Sequence, residues 1–390
     1  MVGYNPTMRE NAAGRVVRVG SGDLGYEAFV PATLPPRIDL TDELFRALSD
    51  ADRALGELSG LGRTLSNPDL LINPFIRKEA VLSSKIEGTQ ATITDLYLFE
   101  AGSAQGHVKP AVGDVQEVMN YMAALRYGLD RIDDLPLSAR LIRELHKRLM
   151  TGVRGQERSP GEFRTSQNWI GAPGSLLADA SYVPPPPGEM DECITELERY
   201  VHREDDPHPP LVRLGLIHVH FEMIHPFIDG NGRIGRLLTS LLLVHWKLLP
   251  VPLLYLSAYL ERERNAYYDR LNAVSDHAAW TEWLVFFLRG VAEQSRDATA
   301  RAKRLQDLQT SWREAVTHAR SSALLLRLVD HLFRSPVITV PAVRRLLGVT
   351  YPAAKANIEK LIEAGIVEPF DVSSYGRRFW APQVIRTIGE

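Results

Sequence analysis

The sequence predicts a mainly α-helical protein. Apolar residues recur at helical spacing over much of 39–289, and one of these stretches, 73–88, has clear end signals. Two places read differently. Residues 160–187 are rich in proline, glycine and aromatics, and the last seventy residues end in a short strand pair.

The first forty residues are mixed, and Pro31, Pro35 and Pro36 mark an irregular arm. Leu44, Leu48, Leu55 and Leu58 then predict a helix within 39–61. In 73–88, Asn73 suits a cap, Pro74 the first helical position and Gly88 the left-handed residue beyond the last turn. Residues 102–109 read as a loop, and 115–127 and 138–150 as helices. Within 160–187, residues 168–171 and 180–183 suit two short strands of a hairpin, closed by four consecutive prolines. Helical patterning returns over 188–289, broken at 205–210 and at the motif described below. A charged helix over 292–315 then connects to the last module. There 340–347 and 352–364 form short helices around Gly348, and 366–368 pairs with 378–381 about a turn at Gly376. A helix-turn-helix followed by a hairpin is the order of a winged helix.

Composition narrows the function classes. With 45% hydrophobic and 24% charged residues the chain reads as an ordinary soluble protein. The formal charge of -3 gives no reason to expect a polyanion along the whole surface. The lone Cys193 excludes an internal disulfide, reads as an inert buried thiol, and fits a reducing, cytoplasmic setting. The N-terminus lacks the basic-then-apolar pattern of a secretory leader. The most apolar stretch, 237–260, contains His245, Lys247, Pro250 and Pro252, so it is expected in the core and no membrane partner is expected.

The chemistry concentrates in His225-Pro226-Phe227-Ile228-Asp229-Gly230-Asn231-Gly232-Arg233-Ile234-Gly235-Arg236. Pro226 and the glycines predict a loop, and the apolar run from Leu237 predicts a helix entered near Asn231 or Gly232. Such a turn offers unpaired N–H groups and a positive dipole end to phosphate. Arg233 and Arg236, three residues apart, share a face and suit phosphate oxygens. Asp229 suits Mg²⁺ shared with a nucleotide. His225 is the natural general base. His218 and His220, on an apolar helix, read as packing residues. Elsewhere, Glu87 ends the 73–88 helix, where a negative charge opposes the helix dipole, and Ser83 lies four residues earlier on the same face.

The twelve-residue motif resembles that of the Fic family, His-Pro-Phe-x-Asp/Glu-Gly-Asn-Gly-Arg-x-x-Arg, at every fixed position. The resemblance implies transfer of AMP from ATP to a Ser, Thr or Tyr hydroxyl of a target protein, or of the chain itself, with pyrophosphate released. His225 would take the hydroxyl proton. Asp229 would hold Mg²⁺. Gly230, Asn231 and Gly232 would form the anion hole, with Arg233 and Arg236 on the triphosphate. Residues 160–164 and 182–185 are also similar to Fic proteins, which implies a flap carrying Ile170, Tyr182 and Val183 that docks the target by strand addition. Tyr267 and Tyr268 would line the adenine pocket, a helix face in the core being the other reading.

Ser83-Ser84-Lys85-Ile86-Glu87-Gly88 resembles the family's inhibitory motif, which implies that Glu87 pairs with Arg236 and takes the place of the γ-phosphate. A charge-assisted pair is worth about 1.5–3 kcal/mol, enough to lower activity about 10- to 100-fold. The implied organisation is a helical N-terminal region over 1–110 with the inhibitory helix at 73–88, a Fic core over 111–295, a linker helix over 296–320 and a winged helix over 321–390. The resemblance also implies a homodimer. Arg344, Arg345, Lys355, Lys360, Arg377 and Arg378 leave DNA open as a partner of the last module, as they do protein contacts. Two other readings stay open: a DNA-binding regulator that senses nucleotide through the Fic core, and an enzyme that removes AMP or transfers another phosphate-linked group.

Overall fold

The computed structural model describes residues 10–22, 25–64, 68–101, 112–171, 174–317, 323–370 and 377–389. The expected loop at 102–109 and the turn at Gly376 lie outside these residues.

In place of an irregular arm, the chain opens with an antiparallel meander of β1 (Glu10–Asn11), β2 (Gly14–Val19) and β3 (Tyr26–Pro31). Val16 faces Phe29 across the register, and Phe29 and Val30 are buried. Such β-branched and aromatic pairs stabilise a sheet, and Pro31 sits at a strand end, where its missing N–H interrupts no ladder. The next helices are α1 (Asp42–Thr64), α2 (Asp69–Ile86), α3 (Ile93–Glu100), α4 (Val112–Arg131) and α5 (Ala139–Met150). They are followed by α6 (Pro187–Val201), α7 (Pro210–Ile224), α8 (Asn231–His245), α9 (Ser257–Arg262), α10 (Arg264–His277) and α11 (Trp280–Thr317).

The helix carrying Glu87 begins before its expected cap. α2 starts at Asp69, so Pro74 lies inside it and Asn73 does not cap it. The Asn73 side chain instead accepts a hydrogen bond from Arg126 Nη2 at 3.1 Å. The other end matches expectation. Gly88 has φ +98°, and its N–H donates to the Lys85 carbonyl at 3.0 Å. α3, not foreseen, is fixed by a capping box between Thr92 and Asp95.

α7 and α8 form the centre. From Leu211 to Ile224 every α7 residue except Arg213 is buried, as expected of a helix that is apolar all round. The stretch expected to be a linker is continuous with the helix before it. α11 buries Ala298, Ala302 and Leu305 and packs along α1. Arg289–Glu43, Arg296–Asp50 and Lys303–Glu57 line that seam, but as exposed pairs they add little stability.

The C-terminal part contains α12 (Ala323–Arg334), β4 (Val337–Thr339), α13 (Val340–Leu347), α14 (Tyr351–Glu363), β5 (Glu368–Pro369), β6 (Arg378–Trp380) and α15 (Pro382–Gly389). α13 and α14 form the expected helix-turn-helix, with Gly348 at φ +69° between them. The sheet order is β4-β6-β5. α12 and α15 pack against α2, so this part of the chain rests on the helix that carries Glu87. Among the described residues, no helix is long and apolar enough to cross a membrane.

Candidate active site

The site forms where α7 ends and α8 begins. His225 terminates α7 in the left-handed region, with φ 48° and ψ 59°. Its carbonyl accepts from Arg164 Nε at 2.9 Å and from Asn168 Nδ2 at 3.2 Å. Arg164 also donates to the carbonyls of Pro185 and Ile224. This buried guanidinium, held below its ordinary pKa by burial at about 10, ties 160–187 to the end of α7. The imidazole Nδ1 of His225 lies 3.2 Å from the Glu222 carbonyl, so it carries the proton and Nε2 keeps the lone pair. Burial drives this histidine down to about 4, against the Glu222 carbonyl, Glu87 and Asp229. The ring is therefore neutral and able to act as a base.

The loop reaching α8 is closed by two residues. Asn231, assigned from the sequence to the anion hole, spends its side chain otherwise. Its Oδ1 accepts from the Phe227 N–H and its Nδ2 donates to the Phe227 carbonyl, both at 2.8 Å. Its backbone N–H is left to face an anion. His146, missed in the sequence, accepts the Gly161 N–H on Nδ1 at 2.8 Å and donates from Nε2 to the Asp229 carbonyl at 2.9 Å. Its ring stacks on Phe227 at 3.7 Å. Gly230, at φ +82°, precedes the helix, and the Ile234 N–H makes the first intrahelical bond, to the Gly230 carbonyl. The N–H groups of Asn231, Gly232 and Arg233 precede that bond, which is the geometry of an anion site.

Arg236 is buried and points toward α2. Its Nη2 donates to Glu87 Oε1 at 2.7 Å and to the Ser83 carbonyl at 2.9 Å, and its Nε donates to Ser83 Oγ at 2.8 Å. Gly232 makes room for this pair, because a Cβ there would lie 2.5 Å from Glu87 Oε1 and 2.9 Å from Arg236 Nη1. Burial raises the pKa of Glu87, but Arg236, with a smaller part from Arg233, outweighs it and holds the carboxyl below its ordinary value. Nearby, Glu79 Oε1 accepts from Tyr121 OH at 2.9 Å and from Ser257 Oγ at 2.6 Å. Glu222 is buried, with no partner for Oε1 among the described residues, and burial pushes it up to about 7.

Arg233 turns the other way. Its Nη1 donates to the buried Glu117 at 3.1 Å, and its Nη2 lies 3.6 Å from Asp229 Oδ1. Asp229 Oδ1 accepts the N–H of Gly230 at 2.7 Å. Oδ2 lies in a cradle that a Cβ at Gly155 would fill, at 2.9 Å. Among the described residues, no three acidic, histidine or cysteine side chains converge on a metal position. A single half-exposed carboxylate fits a hard cation whose remaining ligands are phosphate oxygens and water.

A cavity of about 780 Å³ joins these groups; Glu87, His225, Asp229, Gly232 and Arg236 line it, with Ile170, Tyr182, Tyr267 and Tyr268. Tyr267 is buried and its OH lies 2.9 Å from His218 Nε2. His218 Nδ1 lies 3.1 Å from Thr239 Oγ1, which itself donates to the Gly235 carbonyl. The Thr239 oxygen therefore accepts from Nδ1–H, and His218 Nε2 accepts from Tyr267. The packing role expected of His218 is thus met with a fixed tautomer. Tyr268 is partly exposed to the cavity. The expected flap hairpin is reduced to one bridge, between Ile170 and Tyr182. Tyr182 OH is anchored on the Met223 carbonyl at 2.8 Å, and the Val183 carbonyl accepts the Phe29 N–H at 2.8 Å. Val183 thus pairs with the N-terminal sheet and does not line the cavity. Trp169 and Ile170 remain exposed beside it.

Residues 45–130 match the family described as Fic/DOC family N-terminal, and residues 136–243 match the Fic/DOC family. Over 168 residues the chain is 29% identical to the protein adenylyltransferase Fic of Drosophila yakuba, covering 43% of this chain and 30% of that protein. The Drosophila grimshawi protein of the same name is also 29% identical, with 43% of this chain and 31% of that protein covered. The chain therefore spans about a third of the length of these curated relatives. In fold it is similar to a Fic family protein from Desulfovibrio desulfuricans, with a TM-score of 0.57 and 21% identity over 89% of this chain and 98% of that one. A Fic domain containing signalling protein from Bacteroides thetaiotaomicron gives a TM-score of 0.53 and 20% identity over 65% of this chain and 96% of that one.

Proposed function

Because this chain belongs to the Fic/DOC family, we propose that it is a protein adenylyltransferase held in check by Glu87. The observation that carries the reading is a neutral His225 lining the same cavity as Arg236 and the amide-lined start of α8. The adenylyltransferase names of the Drosophila relatives support ATP as the donor.

In the proposed reaction, the target hydroxyl oxygen attacks the α-phosphorus of ATP and its proton passes to His225 Nε2. The bond from the α-phosphorus to the bridging oxygen of the β-phosphate breaks, and pyrophosphate leaves. The first N–H groups of α8 and Arg236 would face the charge that develops on the phosphates, with Arg233 Nη2 beside Asp229 as the second guanidinium. The cavity side of Asp229 would hold Mg²⁺, which when bound would neutralise charge on the leaving group. Tyr267 and Tyr268 would pack against the base, and the exposed Ile170 edge would receive the target segment. Glu87 occupies a donor of Arg236 that the γ-phosphate would need, so it competes with productive placement of the triphosphate.

The sensor-and-regulator reading has less support. On α14, Lys355 lies 3.5 Å from Glu359, so an acid offsets positive charge on the helix that would read DNA. The test is mass spectrometry of a cell lysate incubated with Mg²⁺, ATP and the Glu87→Gly protein. AMP adducts on Ser, Thr or Tyr that depend on His225 support the reading. Intact ATP binding without adducts, together with salt-resistant specific binding of DNA, would replace it with the regulator.

A further inference from the structure

We propose that Glu117 is a positioning residue for Arg233: α4 orients the phosphate-binding guanidinium and accepts a loss of ATP affinity in return. The proposal rests on the reading of Arg233 as a phosphate ligand, and it concerns a residue outside the glycine-rich motif.

Glu117 stands on α4, 116 positions before Arg233, and both side chains are almost fully buried. One edge of the Arg233 fork is fixed by the 3.1 Å bond to Glu117 Oε2. That leaves Nη2 facing Asp229 at 3.6 Å, with Met150 Sδ at 3.5 Å as its other neighbour. The other carboxylate oxygen of Glu117 lies 3.4 Å from Arg154, on the loop after α5. Two arginines thus compensate the buried charge, and losing one would leave it costly. One turn earlier on α4, Asp114 Oδ2 accepts the Gln90 N–H at 2.7 Å, just beyond Glu87 and Gly88. One face of α4 therefore holds both the segment after the inhibitory glutamate and the phosphate arginine.

A site built for affinity alone would not bury a carboxylate behind a phosphate-binding arginine, because its charge repels the polyphosphate. Its benefit is orientation: an arginine held in place needs no reorganisation as charge develops in the transition state. Glu117→Gln keeps the shape and an acceptor while removing the charge. Binding and turnover should then move in opposite directions, which a loss of general stability would not produce.

The experiment compares Glu117→Gln with its parent, both in the Glu87→Gly chain, by calorimetric titration with MgATP and by single-turnover AMP transfer. MgATP should bind about threefold tighter or more, while transfer slows about tenfold or more. Both changes should disappear when Arg233→Gln is already present, since coupled residues are non-additive. If the parent transfers no AMP but the Arg233-dependent tightening remains, the transferase reading fails and the Glu117–Arg233 coupling stands. Unchanged or weaker binding, or effects that persist in the Arg233→Gln background, would overturn the proposal. Should Glu117→Gln fail to fold, Glu117→Asp keeps the charge and withdraws it by one methylene, and a change in the same direction but smaller is expected.

Discussion

Replacing Glu87 by glycine should raise the proposed AMP transfer, and the structure bounds by how much. The bond from Arg236 Nη2 is 2.7 Å long and joins two charged groups. Such bonds contribute about 1.5–3 kcal/mol when well buried. Arg236 is buried, but 32% of the Glu87 side chain is exposed toward the open cavity. Water therefore screens part of the interaction, and about 1–2 kcal/mol is the reasonable share. At about 1.4 kcal/mol per factor of ten, this is a rise of about 5- to 30-fold in the rate of AMP transfer. The lower part of the range follows from the cavity's openness, which the sequence did not disclose. The assay is the initial rate on a fixed target at saturating ATP, for wild type and Glu87→Gly side by side. Glu87→Gln, which keeps a neutral acceptor, should fall between them. Ser83→Ala should give a smaller rise, because Arg236 retains the Ser83 carbonyl. A rate for Glu87→Gly equal to or below wild type would refute the competition between carboxylate and γ-phosphate.

Further predictions concern the base, the helix start and the core. Burial holds His225 near 4, so the base stays deprotonated well below the ordinary 6.5. The acid limb of kcat/KM in the Glu87→Gly chain should therefore lie near or below pH 5, activity being present above it and lost below. A limb at pH 6.5 would contradict the buried, neutral imidazole. Gly232→Ala in the Glu87→Gly chain should weaken ATP binding about tenfold by calorimetry, since the added methyl meets Arg236 Nη1 at 2.9 Å; unchanged affinity would place the triphosphate elsewhere. Glu79→Ala strips the acceptor from Tyr121 and Ser257 in the core, and should cost about 2–4 kcal/mol in denaturant unfolding. A loss within error would show that Glu79 does not hold α2 in place.

What the sequence disclosed depended on how local each signal was. The glycine-rich entry to α8, the base before it and the arginines after it fall within twelve residues, so chemistry could be read from spacing. The left-handed Gly88 is equally local. The residues missed act across long separations. His146 meets the Asp229 carbonyl 83 positions away, Arg164 meets the His225 carbonyl 61 positions away, and Glu117 meets Arg233 at 116. No periodicity reports such pairs. Glu87 and Arg236, 149 positions apart, were matched through the family resemblance, the residues themselves showing only a misplaced charge.

Other errors had visible signals. Residues 14–19 and 26–30 carry β-branched and aromatic residues around Gly20 and Gly22, which is hairpin chemistry that the nearby prolines obscured. Thr92 and Asp95 form a readable capping box at α3. Asn231 shows a different limit. A motif names the residue, but whether its amide faces the ligand or its own loop is decided by Phe227, four positions earlier.

The central claim is tested most directly by following ATP labelled at either the α- or the γ-phosphorus into protein. Wild type, Glu87→Gly and Glu87→Gly/His225→Ala would be compared with Mg²⁺ and a cell lysate. Relative to the lysate alone, Glu87→Gly should add α-label to protein, wild type should add less, the double variant none, and no variant should add γ-label. γ-Label in excess of the lysate's own, or added α-label that survives loss of His225, would contradict AMP transfer by this base.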